Sequence, residues 1–231
     1  MKVLVIPDVH LKPWLFSRAS ELMREKTADR AVCLMDIPDD WDQQFNIDLY
    51  VQTYDAAIDF AREYPETLWC YGNHDVCYLW DQRESGFSAL AQWTVCEKLR
   101  ALRESLPDES QLAFLHRIDS VLFSHGGLAN EFVRLRVPER DALLETVNGC
   151  GPDVMWEDIS PIWYRPQGSE GSLYGAGRLL QVVGHTPMKR ITRKGDLISC
   201  DVFSTYRNGR PIGTQEFLLL DTVTWEFEGA R

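Results

Sequence analysis

Lys2-Val3-Leu4-Val5-Ile6-Pro7-Asp8-Val9-His10 opens the chain, and its two halves carry different messages. The first five residues form a short apolar run without alternation, the pattern of a strand buried on both faces. The run stops at Pro7, and the next polar residues are an aspartate and a histidine two positions apart. A buried strand that ends in potential metal ligands predicts a sheet with a reactive site at its carboxyl edge.

The pattern repeats downstream. Ala31 to Met35 is a second apolar run and stops at Asp36, with Asp39 three residues on. Thr67 to Tyr71 is a third, leading into Gly72-Asn73-His74-Asp75. Between them, residues 14 to 26 place Leu15, Ala19, Leu22 and Met23 at helical spacing. Residues 45 to 63 do the same with Ile47, Val51, Tyr54, Ile58 and Ala61, and Pro65 ends that helix. Strand, helix, strand, helix, strand is the order of an α/β sheet. A further helix is expected over 84–105, with Phe87, Leu90, Thr94, Leu99 and Leu102 along one side.

The second half predicts adjacent strands at Leu112 to Arg117 and Ser120 to Phe123, then a short helix over 139–147. Residues 151 to 178, rich in Gly and Pro, read as a long surface loop. Four more strands are expected at Leu179 to Val183, Asp196 to Cys200, Glu216 to Leu220 and Thr224 to Glu228. No repeat or linker interrupts the chain, so residues 1–231 are expected to form a single domain.

Composition narrows the function. The chain has 231 residues, 45% hydrophobic and 26% charged, enough for a substantial core. Its formal net charge of −11 argues against a nucleic-acid partner, which calls for a basic face. The opening apolar run is too short for a signal peptide, and no stretch approaches the roughly 20 apolar residues of a membrane span. Cys33, Cys70, Cys77, Cys96, Cys150 and Cys200 are scattered without a C-x-x-C pair. They read as reduced thiols, and the expected location is the cytoplasm.

Five expected strands end in polar clusters: Asp8-Val9-His10, Asp36 with Asp39, Gly72-Asn73-His74-Asp75, Ser124-His125-Gly126-Gly127 and Gly184-His185-Thr186. Ligands of open α/β sheets bind outside the carboxyl ends of strands, so these clusters should converge. Four of the five histidines lie in them. The fifth, His116, sits inside a strand-like run and reads as a half-buried, hydrogen-bonded side chain. Carboxylate, imidazole and amide oxygen together suit Mn, Fe or Zn, with positions left open for water and substrate.

The ordered set D-x-H, D-x-x-D, G-N-H-D, H-G-G and G-H-T resembles the calcineurin-like metallophosphoesterase superfamily over residues 3 to 201. The resemblance implies an α/β fold: a β-sandwich of two mixed sheets flanked by helices, four layers deep. The half of the chain from residue 112 onward is expected to pair as a mixed sheet. It also implies two divalent metal ions, manganese foremost, with Fe, Zn or Ni as alternatives. Asp8 and His10 match ligands of the first metal, Asp36 the carboxylate shared by both, and Asn73, His125 and His185 ligands of the second. His74 matches the histidine that protonates the leaving oxygen, oriented by a carboxylate matching Asp39. The neighbouring Asp40 could take that partner role instead.

The single histidine in Gly184-His185-Thr186-Pro187 resembles the phosphoprotein-phosphatase branch, with its bacterial, phage and dinucleoside-tetraphosphatase members. Trp163-Tyr164-Arg165 is similar to a W-x-R in which the arginine grips phosphate. Arg165 is therefore either that grip or a solvated loop residue. Two arginines of the branch are missing, since position 40 is Asp and position 71 is Tyr. Asp40 and Asp42 would repel a phosphate dianion if they faced it.

Metal chemistry thus reads as intact and substrate recognition as altered. The expected reaction is hydrolysis of phosphate mono- or diesters by a water shared between two metals. The expected partner is a small phosphorylated molecule or a phosphoprotein. A nuclease or nucleotide polyphosphate hydrolase of the same superfamily is the alternative enzyme, and a non-catalytic metal-binding scaffold the alternative of another class. Trp14, Trp41 and Trp80 each follow a motif and are read as packing residues in preference to base-stacking platforms.

Overall fold

A computed structural model describes residues 1–168 and 171–231. The chain runs β1 (Lys2–Ile6), α1 (Trp14–Glu25), β2 (Arg30–Cys33), α2 (Ile47–Glu63), β3 (Leu68–Cys70), α3 (Asn73–Leu79), α4 (Gln92–Ser105) and β4 (Leu112–Ala113). It continues through β5 (Leu115–Ile118), β6 (Val121–Ser124), α5 (Asn130–Arg136), α6 (Leu143–Asn148) and α7 (Pro152–Met155). β7 (Leu180–Val183), β8 (Thr192–Lys194), β9 (Leu197–Ser199), β10 (Phe217–Asp221) and β11 (Phe227–Ala230) complete it.

Two mixed sheets result, in the orders β11-β10-β1-β2-β3-β4 and β5-β6-β7-β9-β8. In the first, β1 to β4 are parallel neighbours, while β10 and β11 add antiparallel at the β1 edge. In the second, β6, β7 and β9 are parallel, with β5 and β8 antiparallel at the two edges.

The unalternating apolar strands are explained by what lies on each face. Val3 and Val5 of β1 join Val32, Leu34, Phe123, Val182 and Leu218 in a core between the sheets. Leu4 and Ile6 point the other way, into the core shared with Leu15, Leu22 and Tyr54 of α1 and α2. α6 packs against β5 of the second sheet, where Asn148 accepts from the Leu115 N–H at 2.9 Å and donates to its carbonyl at 3.0 Å. The expected sandwich of two mixed sheets with helices outside is the fold observed.

Several local expectations differ from the structure. The helix expected over 84–105 begins only at Gln92. Gly86 has φ +89°, outside the helical region, and the Ser88 hydroxyl accepts from the Ala91 N–H at 3.1 Å, which sets the start. Conversely, Asn73 and His74 lie in the first turn of α3, which periodicity did not mark. The run Leu112 to Arg117 splits between the sheets: β4 pairs with β3, and β5 turns into a hairpin with β6.

The half of the chain after residue 112 is not one sheet, because β4, β10 and β11 complete the first. Within the expected loop 151–178, α7 forms and Leu173 bridges Ala129; residues 169 and 170 lie outside the described residues. Among the described residues, no helix is long and apolar enough to cross a membrane. All six cysteines are free.

Candidate active site

The segments after β1 and β2 run side by side and are zipped by backbone hydrogen bonds. The N–H groups of Val9, His10 and Leu11 donate to the carbonyls of Met35, Asp36 and Ile37 at 3.0, 2.8 and 3.0 Å. This puts Asp8, His10 and Asp36 on one edge. The backbone there is left-handed at His10 (φ 43°), Leu11 (54°), Met35 (56°) and Asp36 (43°), and again at His185 (61°). Such conformations cost non-glycine residues about 1–3 kcal/mol each and persist where the surroundings hold them.

Asp75 is one of those holds. This buried carboxylate accepts from the N–H groups of Asp36 at 2.9 Å, Ile37 at 3.1 Å and Gly72 at 2.9 Å. It ties the loop after β2 to the start of α3, where Asn73 sits. The backbone N–H of His74 in turn donates to Asp36 Oδ1 at 2.9 Å. On the second sheet, the N–H of His185 donates to Asp8 Oδ1 at 2.8 Å, joining the end of β7 to the end of β1.

The result is two overlapping donor sets. Ligand atoms of Asp8, His10 and Asp36 lie within 4.8 Å of one another, and so do those of Asp36, His125 and His185. His125 Nε2 is 3.1 Å from Asp36 Oδ2, 3.2 Å from Asn73 Oδ1 and 3.1 Å from His185 Nδ1. The other ring nitrogen of His125 lies 2.9 Å from the Leu34 carbonyl, and Nδ1 of His10 lies 2.9 Å from the Asp39 carbonyl. A carbonyl only accepts, so both Nδ1 atoms carry a hydrogen and Nε2 is the ring nitrogen left to serve a metal, the orientation usual for metal-ligating histidines.

Divalent cations fit this set. Among the described residues, Asp8 Oδ2 and His185 Nε2 have no hydrogen-bond partner although both are buried, each an arrangement that costs about 1–3 kcal/mol if left unsatisfied. Carboxylates, imidazoles and an amide oxygen crowd together with few hydrogens to share among them. Burial first, then the charges of Asp201 and Asp36, hold the Asp8 carboxyl well above its usual range. Burial would also raise Asp36, but the charges of His125 and His74 outweigh it and keep its carboxyl below the usual range. Burial lowers His185 to about 2, helped by the neighbouring His125 charge, which keeps that ring neutral as a ligand must be.

His74 stands beside the cluster with a different set of bonds. Its Nδ1 lies 3.0 Å from Asp39 Oδ2, and its ring meets that of His10 edge-on at 5.5 Å. Burial pushes its pKa down, but the charge of Asp36 and the hydrogen bond to Asp39 prevail and raise it to about 9. Asp40 is not its partner. That carboxylate takes Lys12 Nζ at 3.2 Å, the Trp41 N–H at 2.8 Å and the Thr205 hydroxyl at 3.2 Å. Asp42 pairs with Arg207 at 3.1 Å on the surface. Asp42 is therefore engaged elsewhere, whereas Asp40, though held by Lys12, still lines the cavity over the cluster.

A cavity of about 320 Å³ opens over the cluster, lined by His10, Asp36, Asn73, His74, Trp163, Arg165 and His185 among others. Arg165 donates to the His185 carbonyl at 2.6 Å and to the Thr186 hydroxyl at 3.2 Å, so it is a fastened cavity residue and not a free loop arginine. The W-Y-R loop also holds the glycines after His125: the Gly126 and Gly127 N–H groups donate to the Pro161 and Tyr164 carbonyls at 2.7 and 3.0 Å. His116 lies apart, buried in β5 with Nε2 3.0 Å from the Trp69 carbonyl.

The profile of the calcineurin-like phosphoesterases, Metallophos, matches residues 1–211. The chain belongs to the calcineurin-like phosphoesterase family. As a member it is a hydrolase of phosphate esters, and the family's use of divalent metals accords with the two Asp/His groups. No curated protein matches the sequence significantly.

Among solved structures, a cold-active protein-tyrosine phosphatase of a psychrophile, Shewanella sp., aligns with a TM-score of 0.59 at 17% identity. That alignment covers 100% of this chain and 80% of that one. A 1.1 Å structure of cold-active protein tyrosine phosphatase aligns with a TM-score of 0.55 at 20% identity, covering 99% of this chain and 78% of that one. At these identities the likeness is one of fold.

Two site residues carried no assigned role in the sequence reading. Asp75 lay inside a quoted motif, and its position three residues after Gly72 is the spacing of a carboxylate that caps a helix start. Asp201 lines the cavity, is buried, and follows β9, another parallel strand of the second sheet. The rule that picked out the other strand ends applies equally to it.

Proposed function

We propose that this enzyme is a dinuclear metal-dependent phosphoesterase acting on phosphate mono- or diesters. The carrying observation is that Asp36 belongs to both donor groups at once. Asp8, His10 and Asp36 would hold one ion, and Asp36, Asn73, His125 and His185 the other. The mixed nitrogen and oxygen donors suit manganese, with Fe, Zn or Ni as alternatives. Two divalent ions held there would supply Lewis acidity, lowering the pKa of water and offsetting charge on a phosphoryl group.

The chain's own groups do the rest. Asp39 holds Nδ1 of His74, a ring that lines the cavity, and leaves Nε2 to serve as the general acid for the departing oxygen. Of the groups that favour the protonated ring, Asp39 is the one that is not a proposed metal ligand. Arg165 offers a planar pair of N–H donors to phosphoryl oxygens. The partner is a small phosphorylated molecule or a phosphoprotein, and the net charge of −11 disfavours nucleic acid. Both sheets feed one cluster, so the 231 residues are read as one domain.

The test is to strip the protein with a chelator, restore manganese, and assay p-nitrophenyl phosphate and its bis-ester. Hydrolysis should vanish and return. Full activity in excess chelator would overturn the reading.

A further inference from the structure

Trp41 lines the cavity with 53% of its surface exposed. Of the other tryptophans that follow motifs, Trp80 packs against Phe114 and Trp156, and Trp14, itself 48% exposed, meets Phe203 edge-on and is not part of the cavity lining. Trp41 is exposed yet held. Its indole N–H donates to the Thr205 carbonyl at 2.9 Å, and its backbone N–H donates to Asp40. Thr205 returns a hydroxyl bond to the same carboxylate, and Arg207 pairs with Asp42 beside it. The segment around Thr205 is thus clasped to the segment around Trp41. A ring fixed in this way, with its N–H already satisfied, offers an apolar face at little cost in side-chain freedom.

The charges of the cavity point the same way. Asp36, Asp39, Asp40, Glu84 and Asp201 line it, and among the described lining residues Arg165 is the one permanent cation. Beyond the metal cluster, a phosphate ester finds little further charge attraction here. Binding strength must then come from the non-phosphate part of the substrate, and the surfaces on offer to it are Trp41, Trp163, Pro187 and Ile212.

We propose that Trp41 determines specificity and that the substrate is a small phosphate ester carrying a flat aromatic group, a nucleobase or an aryl ring, that stacks on it. The inference rests on the phosphoesterase reading and adds the substrate class. The cavity of about 320 Å³ is at the small end of small-molecule sites, which span roughly 300–1,000 Å³. Stacking on an aromatic side chain corresponds to a change in affinity on the order of 10-fold or more.

The experiment is calorimetric titration of the manganese-loaded protein with three non-hydrolysable phosphonates: methylphosphonate, phenylphosphonate and phosphonomethoxyethyl adenine. At least one aromatic phosphonate should bind about 10-fold more tightly than methylphosphonate. Trp41→Ala should erase that preference while methylphosphonate binding stays unchanged, and Trp41→Phe should keep most of it. Tighter binding of the adenine compound identifies a nucleobase, and tighter binding of the phenyl compound an aryl group.

Equal binding of all three, binding of none, or a uniform loss in Trp41→Ala would overturn the inference. The underlying reading fails separately. In that case the manganese-loaded protein hydrolyses no phosphate ester, whether or not the aromatic phosphonates bind selectively.

Discussion

Nδ1 of His74 lies 3.0 Å from Oδ2 of Asp39, while the other oxygen of that carboxylate accepts from the hydroxyls of Tyr50 and Tyr78 at 2.9 and 2.5 Å. Asp39 is thus fixed from two sides and in turn fixes the imidazole. If His74 is the general acid, His74→Ala should lower kcat on the order of 10²–10⁴-fold with metal content unchanged. The loss should be largest for alkyl phosphates and smallest for nitrophenyl phosphates, whose leaving group needs little protonation. Asp39→Asn should give a milder version of this pattern. Asp40→Asn should not change the dependence on leaving group, since Asp40 is bound to Lys12. An equal loss on both substrate types, or loss of a metal in His74→Ala, would refute the acid role.

Asp36→Asn keeps the shape of the side chain and removes the charge common to both donor groups. Metal analysis after dialysis should show both ions weakened, whereas Asn73→Ala should weaken one. Normal occupancy of both in Asp36→Asn would rule out the shared role.

Two glycines leave room for the ligands. A Cβ on Gly184 would collide with Asp8 Oδ2, and one on Gly72 with Asp36 Oδ1. Gly184→Ala should therefore displace Asp8 and weaken the first ion, and Gly72→Ala should displace Asp36 and weaken both. Losses in affinity on the order of 10- to 100-fold are expected, as when supports of metal ligands are removed. Unchanged metal affinity in both variants would show that the carboxylates are not held where these glycines allow.

The strands of the first sheet were legible because burial on both faces leaves an unbroken apolar run, as Val3 and Val5 on one face and Leu4 and Ile6 on the other show. The site was legible because its residues sit at the ends of such strands. β8 was not, since Thr192-Arg193-Lys194 is an outer strand with mostly exposed side chains and no apolar pattern. The start of α4 was missed because Phe87 and Leu90 fall at helical spacing, although Leu90 is exposed and Phe87 stacks on Tyr78. The return of β10 to pair with β1 joins segments about as far apart as the chain allows, and no local pattern encodes that choice of partner. Trp41, read as packing, turned out to face the cavity because its anchor, Thr205, is equally remote in sequence.

His116 gives a test of stability independent of the site. Burial lowers its pKa to about 4, against an unfolded value of about 6.5. The unfolded chain therefore binds the extra proton between these values. The contribution is fully present above about pH 6.5 and is lost as pH falls through about 4, on the order of 3 kcal/mol. Urea unfolding at pH 7 and pH 4.5 should show His116→Gln losing less stability on acidification than the parent. The same loss in both would contradict the depressed pKa.

A pair of metal ions sharing Asp36 would be visible by diffraction at the manganese absorption edge from crystals grown with manganese. Two anomalous peaks are expected about 3.5–4 Å apart, one beside Asp8, His10 and Asp36 and the other beside Asp36, Asn73, His125 and His185. A single peak, or peaks away from Asp36, would contradict the shared pair.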